Sequence, residues 1–243
     1  MAELIYKEIR SFFSSIIGYL VIAVFLIIMG SLMWVFPDYS ILDYNVASLD
    51  QLFSVSPFIF LFLIPAVTMR AFAEEMAQGT METLLTKPLT ETQIVFGKFF
   101  ANLILVLLAL LPSLLYYYSV YQLGSPKGNL DSGAIAGSYL GLILLAAGFV
   151  AIGLFASSLT KNQIVGFILA SFLCFLFYSA FYYISKLPVF FGKVDDVVLQ
   201  LGIDEHYNQM SKGLIDLKDL VYFGSLIFFF LWLTVEQLKS RLF

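Results

Sequence analysis

Charged side chains are scarce in this chain. Only 12% of its 243 residues are Asp, Glu, Lys or Arg, and 60% are hydrophobic, whereas soluble domains are about 25% charged and about 45–50% apolar. Water is therefore not the main solvent of this protein. The net charge is −4 and there is no basic tract, so the sequence predicts no nucleic-acid partner.

Residues that hold metals or carry out catalysis are equally few. The only cysteine is Cys174 and the only histidine is His206, which predicts neither a disulfide nor a metal site. No Ser-His-Asp or Cys-His set can be assembled within the membrane. The GxxxxGK[ST] motif that binds nucleotide phosphates is also missing. We therefore predict no catalytic, cofactor or metal-binding residue, and we expect any ATP with Mg²⁺ to bind a partner chain.

Long uncharged runs take the place of charge. Five of them are near or above the roughly 20 residues that a helix needs to cross a bilayer, and a shorter sixth has polar ends that can reach the interface. The sequence therefore predicts an all-α polytopic membrane protein with one domain over residues 1–243. The six predicted spans lie near residues 15–36, 52–70, 94–120, 134–158, 163–185 and 219–238.

The lysines and arginines predict the orientation. Basic residues are retained on the cytoplasmic side, and an inside N-terminus leaves the first outer loop without any. Both termini are then cytoplasmic, and residues 187–218 form an outer loop. The basic residues that fall inside in this arrangement are Lys7, Arg10, Arg70, Lys87, Lys98, Lys161, Lys239 and Arg241.

Two further segments have helical patterns. Residues 1–13 alternate apolar and charged side chains at helical spacing, which predicts an interfacial helix; a cytoplasmic extension of the first span is the alternative. In the fourth span, Gly137, Gly141 and Gly148 fall close to one face, and the first two form GxxxG. Small residues let another helix approach closely, so we predict a helix-packing face, with a dimer interface as the alternative.

The loop between the second and third spans, residues 71–90, carries the clearest functional pattern. In a helical projection Glu75, Gln78 and Glu82 share one face, opposite an apolar face that includes Phe72. Helices that rest on lipid favour Lys and Arg on their polar face, whereas this face is acidic. We therefore expect it to bind a protein partner with a basic or donor-lined groove.

The same loop resembles the membrane subunit of type-2 ABC exporters. With the segments around the first and last spans, the chain is most similar to the permease of the gliding-motility-associated exporters of the Bacteroidetes. The residues of the loop that carry the resemblance are Arg70, Glu74, Glu75, Gly79, Thr80, Glu82, Leu84, Leu85 and Pro88, followed by Gly97 and Lys98.

The resemblance implies a six-helix permease of a bacterial inner membrane, surrounded by lipid. It would pair with a second membrane subunit, a different chain more readily than a copy, and with an ABC ATPase dimer that binds ATP and Mg²⁺. The loop would be the coupling helix, with Phe72 and Leu84 anchoring it on its membrane side. The residues expected at the ATPase interface are Glu74, Glu75, Gln78, Gly79, Thr80, Glu82, Leu84 and Leu85.

Two other functions are compatible with the same pattern. One is an ATP-independent channel or carrier, although the sequence places no ionisable residue in the interior of the spans to mark an ion or proton pathway. The other is a non-transporting scaffold that transduces energy to a gliding or secretion-type machine. For an exporter, the apolar spans suit lipid, glycolipid and polypeptide passengers alike.

Overall fold

The computed structural model describes residues 1–37, 40–44, 46–82, 89–187, 192 and 195–240. All regular structure in these ranges is helical, as the sequence predicts. The helices are α1 (Ala2–Phe13), α2 (Ile16–Trp34), α3 (Ile41–Tyr44), α4 (Asp50–Thr68), α5 (Arg70–Ala77), α6 (Glu91–Leu110), α7 (Leu114–Leu123), α8 (Ser132–Leu159), α9 (Gln163–Phe175), α10 (Phe181–Ser185), α11 (Asp195–Leu199), α12 (Ile203–Met210) and α13 (Leu217–Lys239).

Five helical stretches within the described residues are long and apolar enough to cross a membrane. Helices α1 and α2 meet that condition only together, across a bend of 69°, and they give a sixth span if the bent pair is counted as one. The five stretches are Asp50–Ala77, Glu91–Leu123, Ser132–Leu159, Gln163–Ser185 and Leu217–Lys239.

The 28-residue stretch Asp50–Ala77 joins the second predicted span directly to the predicted coupling segment. At 1.5 Å per residue this helix is about 42 Å long, against about 30 Å for the hydrocarbon core of a bilayer. Its charged end, α5, therefore extends beyond the hydrocarbon. The next span begins at a capping box, in which Thr90 and Gln93 bond to each other's backbone N–H groups.

Helix α8 is the centre of the bundle. It packs against α4, α9 and α13, and its residues from Leu145 to Leu154 are all buried. The glycines predicted as a packing face are among its buried residues. A Cβ added at Gly141 would lie 2.6 Å from the Cβ of Met210, and one at Gly137 would lie 2.8 Å from the carbonyl oxygen of Gly213. These two glycines therefore let α12 and the segment after it approach α8.

The lone histidine joins two helices at the end of the bundle opposite α5. The Nδ1 atom of His206, in α12, lies 2.7 Å from Oδ1 of Asp219 in α13. Its Nε2 atom lies 3.0 Å from the carbonyl oxygen of Gln200. Its ring stacks on Tyr222. Asp216, rather than Asp219, caps α13. Both ring nitrogens thus have partners inside the chain, and the described residues contain no cluster of metal ligands.

The close approach at Gly141 gives a testable prediction. We expect Gly141→Ala to destabilise the protein by about 1–3 kcal/mol, because the added methyl group overpacks α8 against Met210. Gly224→Ala is the matched control, since nothing lies within 4 Å of its added Cβ and alanine favours a helix by about 1 kcal/mol. Unfolding of the purified protein in mixed micelles measures both, and equal effects would contradict the packing described for α8.

Candidate functional site

Helix α5 is fixed to the centre of the bundle by one serine. The backbone N–H groups of Phe72 and Ala73 donate to Oγ of Ser157 in α8, at 3.1 and 3.2 Å. The same hydroxyl donates to the carbonyl oxygen of Met69 at 2.9 Å. The first N–H groups of a helix have no partner within it, and the fully buried Ser157 supplies one. The start of α5 is therefore tied to α8.

A buried lysine joins α5 to two other helices. The Nζ of Lys98, in the second turn of α6, donates to Oε1 of Glu8 in α1 at 2.9 Å and lies 3.0 Å from Oε2 of Glu75 in α5. Lys7 donates to Oε1 of Glu75 at 2.9 Å. We call Lys7, Glu8, Glu75 and Lys98 the Lys98 cluster. It fixes the relative positions of α1, α5 and α6.

The energetic role of the Lys98 cluster follows from burial. Lys98 is fully buried, and its ammonium also lies 5.2 Å from the centre of the Phe72 ring. Removing a charge of this kind from water costs several kcal/mol, which close partners largely offset, so a buried ion pair specifies an arrangement more than it adds stability. Losing one partner is costly because the remaining charge is then unbalanced. The cluster therefore selects one register of α1 against α5 and α6.

The glycine at the end of α5 changes the geometry expected from the helical projection. Helix α5 ends at Ala77, and Gly79 has a φ of +71°, a left-handed conformation that favours glycine. The N–H of Thr80 turns back to the carbonyl oxygen of Glu75 at 3.0 Å. The projection treated Glu75, Gln78 and Glu82 as parts of one continuous helix, so its placement of Glu75 and Glu82 on a common helical face is wrong.

The predicted interface residues separate into an inner and an outer group. Glu75 is buried in the Lys98 cluster, whereas Glu74 is part-exposed and accepts a hydrogen bond from Gln78 at 3.3 Å. We call the outer group the acidic tip; it consists of Glu74, Gln78, Gly79, Thr80 and Glu82, of which the last four are exposed. Leu84 and Leu85 lie outside the described residues. Contact of this loop with a partner stays a prediction.

Two sequence expectations about this region are wrong. Phe72 does not face the membrane, because it is fully buried within the chain. The spans are also not free of buried charge, because Lys98 lies within the predicted span 94–120 and is neutralised by carboxylates of α1 and α5. The signal that could have found this cluster is a lysine just inside a predicted span, flanked by two predicted helices that carry glutamates.

The match to a known family covers most of this region. A family model of ABC-2 family transporter proteins matches residues 39–197, more than half of the 243-residue chain. The chain belongs to this family. A search of the curated proteins finds no match. The matched range includes Glu75 and Lys98 and begins after α1, which supplies Lys7 and Glu8.

Membership of the ABC-2 family gives the coarse biochemical role. The chain is a multi-pass membrane protein and the membrane component of an ABC transporter, not its nucleotide-binding domain. Proteins of this family generally work with an ATPase partner. The acidic tip is exposed at the end of the helical stretch that contains the second span, which makes it the candidate surface for such a partner.

The serine contact gives a second prediction. We expect Ser157→Ala to cost about 1–3 kcal/mol of stability, because two buried N–H groups of α5 lose their acceptor. Hydrogen exchange in Arg70–Ala77 should rise more than elsewhere. Ser225→Ala is the control, because that exposed hydroxyl donates only to the carbonyl oxygen of Tyr222. Unchanged exchange in α5 would argue against the tie to α8.

The buried Lys98 gives a third testable prediction. We expect Lys98→Met to destabilise the protein by about 3–5 kcal/mol, since two carboxylates are then left with Lys7 alone. Adding Glu8→Gln and Glu75→Gln to Lys98→Met should recover most of this loss, because no unbalanced buried charge remains. Chemical unfolding of the single and triple variants measures the coupling. If the triple variant were destabilised by the sum of the effects of the three single variants, the charges would not interact.

Proposed function

We propose that this ABC-2 family protein is the membrane subunit of an ATP-driven exporter and that its acidic tip binds the ATPase. The observation that carries the proposal is the combination of a fixed base and an exposed end in one helix. Helix α5 is bonded to α8 through Ser157 and to α6 through Lys98, while Gln78, Gly79 and Thr80 at its end are exposed. A displacement of the tip would therefore move several spans together.

The chemistry of the tip defines the partner surface. Glu74 and Glu82 give it negative charge, and Gln78 and Thr80 add hydrogen-bonding groups. Complementary charge at an interface steers association and selects the partner. We accordingly expect a groove on the ATPase that is lined by basic side chains and N–H donors. ATP and Mg²⁺ would bind that chain, with both termini of the permease on the same, cytoplasmic side of a bacterial inner membrane.

The fixed base of α5 supports a mechanism by rigid-body motion. Closure of an ATPase dimer would shift the tip, and the shift would pass along the continuous stretch Asp50–Ala77 and across to α6 and α8. Helix α1 would follow because Glu8 is held by Lys98. Such a shift changes the population of inward and outward states only if the ATPase binds them with different affinity. A second membrane subunit, expected to be a different chain, would complete the passage.

A second candidate function is energy transduction without a transported passenger, which would depend on the same acidic tip and the same fixed base of α5. The resemblance to gliding-motility permeases favours it, because a gliding or secretion-type machine would need the same tip and the same fixed base. Flux of a passenger into sealed vesicles, measured with the ATPase present and absent, separates export from energy transduction and from an ATP-independent channel.

Charge reversal on the tip tests the ATPase interface. We expect Glu74→Lys with Glu82→Lys to reduce co-purification of the ATPase by about tenfold or more, because like charges would meet across the interface. Permease-dependent stimulation of ATP hydrolysis should fall with it. Glu236→Lys is the matched control, since that carboxylate is also exposed, lies near the end of α13 and, among residues up to 240, pairs with Lys239.

The two variants of this experiment have opposite expected outcomes. The control should retain ATPase binding and stimulation, and both proteins should unfold at the same temperature in detergent. Full binding and full stimulation by the double tip variant would overturn the assignment of the tip as the ATPase interface.

A further inference from the structure

Arg70, the first residue of α5, has hydrogen-bonding capacity that the described part of the chain does not fill. Its Nη1 lies 3.5 Å from Oγ of Ser15, a long contact, and its Nε is buried without a hydrogen-bond partner. No described carboxylate forms an ion pair with it. A guanidinium presents five N–H donors in a planar fork. Apart from the long contact with Ser15, these donors have no hydrogen-bond partner among the described residues.

The guanidinium lines a cavity of about 500 Å³ between the junction of α1 and α2, the α4–α5 stretch and α6. Beside Arg70 the lining is polar and includes the hydroxyl groups of Ser11 and Ser14. Val67 and Leu105, both buried, form an apolar part of the lining. Val67 lies about one turn further into the span than Arg70, and Leu105 about two turns further along α6 than Lys98. The cavity is thus polar at the end of the bundle and apolar toward the bilayer.

The charges around the cavity leave Arg70 as the cation without a partner. Lys7, Glu8, Glu75 and Lys98 also line the cavity, and they pair with one another in the Lys98 cluster. Glu74 stands four residues from Arg70 on the same helix, a spacing at which charges interact, yet its carboxylate accepts from Gln78 and not from the guanidinium. Glu74 also lines the cavity, so Arg70 and Glu74 are the two charges of its lining without an ion pair among the described residues. Of these two, only the guanidinium can donate hydrogen bonds to an anion.

We propose that this cavity binds the phosphate group of an anionic phospholipid. Arg70 would donate to two phosphate oxygens, a geometry that guanidinium and phosphate favour, and the hydroxyls beside it would complete the polar contacts. The start of an acyl chain would lie along Val67 and Leu105. The apolar part of the lining and the position at the end of a membrane span favour a lipid over free phosphate. The inference requires only the membrane location and does not rest on the proposed ATPase interface.

A lipid in this cavity would contact the same helices as the Lys98 cluster. Helices α1 and α5 form two of its walls, so the bound phosphate would hold them together in addition to the Lys98 ammonium. Anionic lipid would then stabilise the arrangement of the α5 end of the bundle, which the protein alone sets through buried charge.

Lipid binding to the full chain tests the proposal. The delipidated protein in detergent is titrated with phosphatidylglycerol, with phosphatidylcholine and with inorganic phosphate, and native mass spectrometry counts bound lipid while the unfolding temperature is recorded. We expect phosphatidylglycerol alone to remain bound and to raise the unfolding temperature. Arg70→Gln should weaken the binding of phosphatidylglycerol about tenfold or more, because a charge-assisted contact is lost. Lys161→Gln, which removes an exposed charge from the loop before α9, should not.

A second variant is expected to bind the lipid more tightly. Glu74→Gln removes the carboxylate nearest to Arg70 along the helix, so we expect phosphatidylglycerol to bind a few-fold more tightly, which a misfolded protein would not do. Equal weakening by Arg70→Gln and Lys161→Gln would indicate general surface attraction and overturn the proposal. So would stabilisation by inorganic phosphate equal to that by phosphatidylglycerol, or unchanged binding in both Arg70→Gln and Glu74→Gln.

Discussion

The arrangement of helices at the α5 end depends on the neutralisation of one buried ammonium group. Lys98 is withdrawn from water by α6, and a charge in that position is tolerated only with anionic partners within contact distance. Glu8 and Glu75 meet this need from two different helices. Helix α1 therefore cannot shift along α6 without separating Glu8 from Lys98, and α5 cannot rotate without removing Glu75. The charge requirement sets the positions of both helices.

This constraint explains how an exposed segment can act on the membrane part of the protein. All of the acidic tip except Glu74 lies beyond Ala77, where α5 ends, and Phe72, Ala73 and Glu75 are bonded to α8 and α6. The exposed end of this helix and its bonded base are thus separated by fewer than two helical turns. This is the segment at which we propose that a partner's motion enters the spans.

Buried polar pairs recur at both ends of the bundle. At one end the Lys98 cluster holds α1 and α5; at the other, His206 holds α12 to Asp219 of α13. Between them α8 is almost entirely apolar where it is buried, and glycines bring α12 close to it. Apolar packing determines which helices adjoin, whereas the polar pairs determine how the short helices outside the hydrocarbon dock onto them. Directional contacts are needed there because short helices bury little apolar surface of their own.

The sequence by itself determined the all-α membrane fold, because hydropathy acts over short distances along the chain, and it singled out the segment after the second span as the predicted functional loop. It did not determine which loop residues are accessible. Glu74 and Glu75 are neighbours, and the sequence pattern assigns both to a partner. In the structure Glu75 is buried and bonded to Lys7 and Lys98, whereas Glu74 is part-exposed. Only the tertiary structure decided this, because Lys98 meets Glu8 and Glu75 after the bundle has formed.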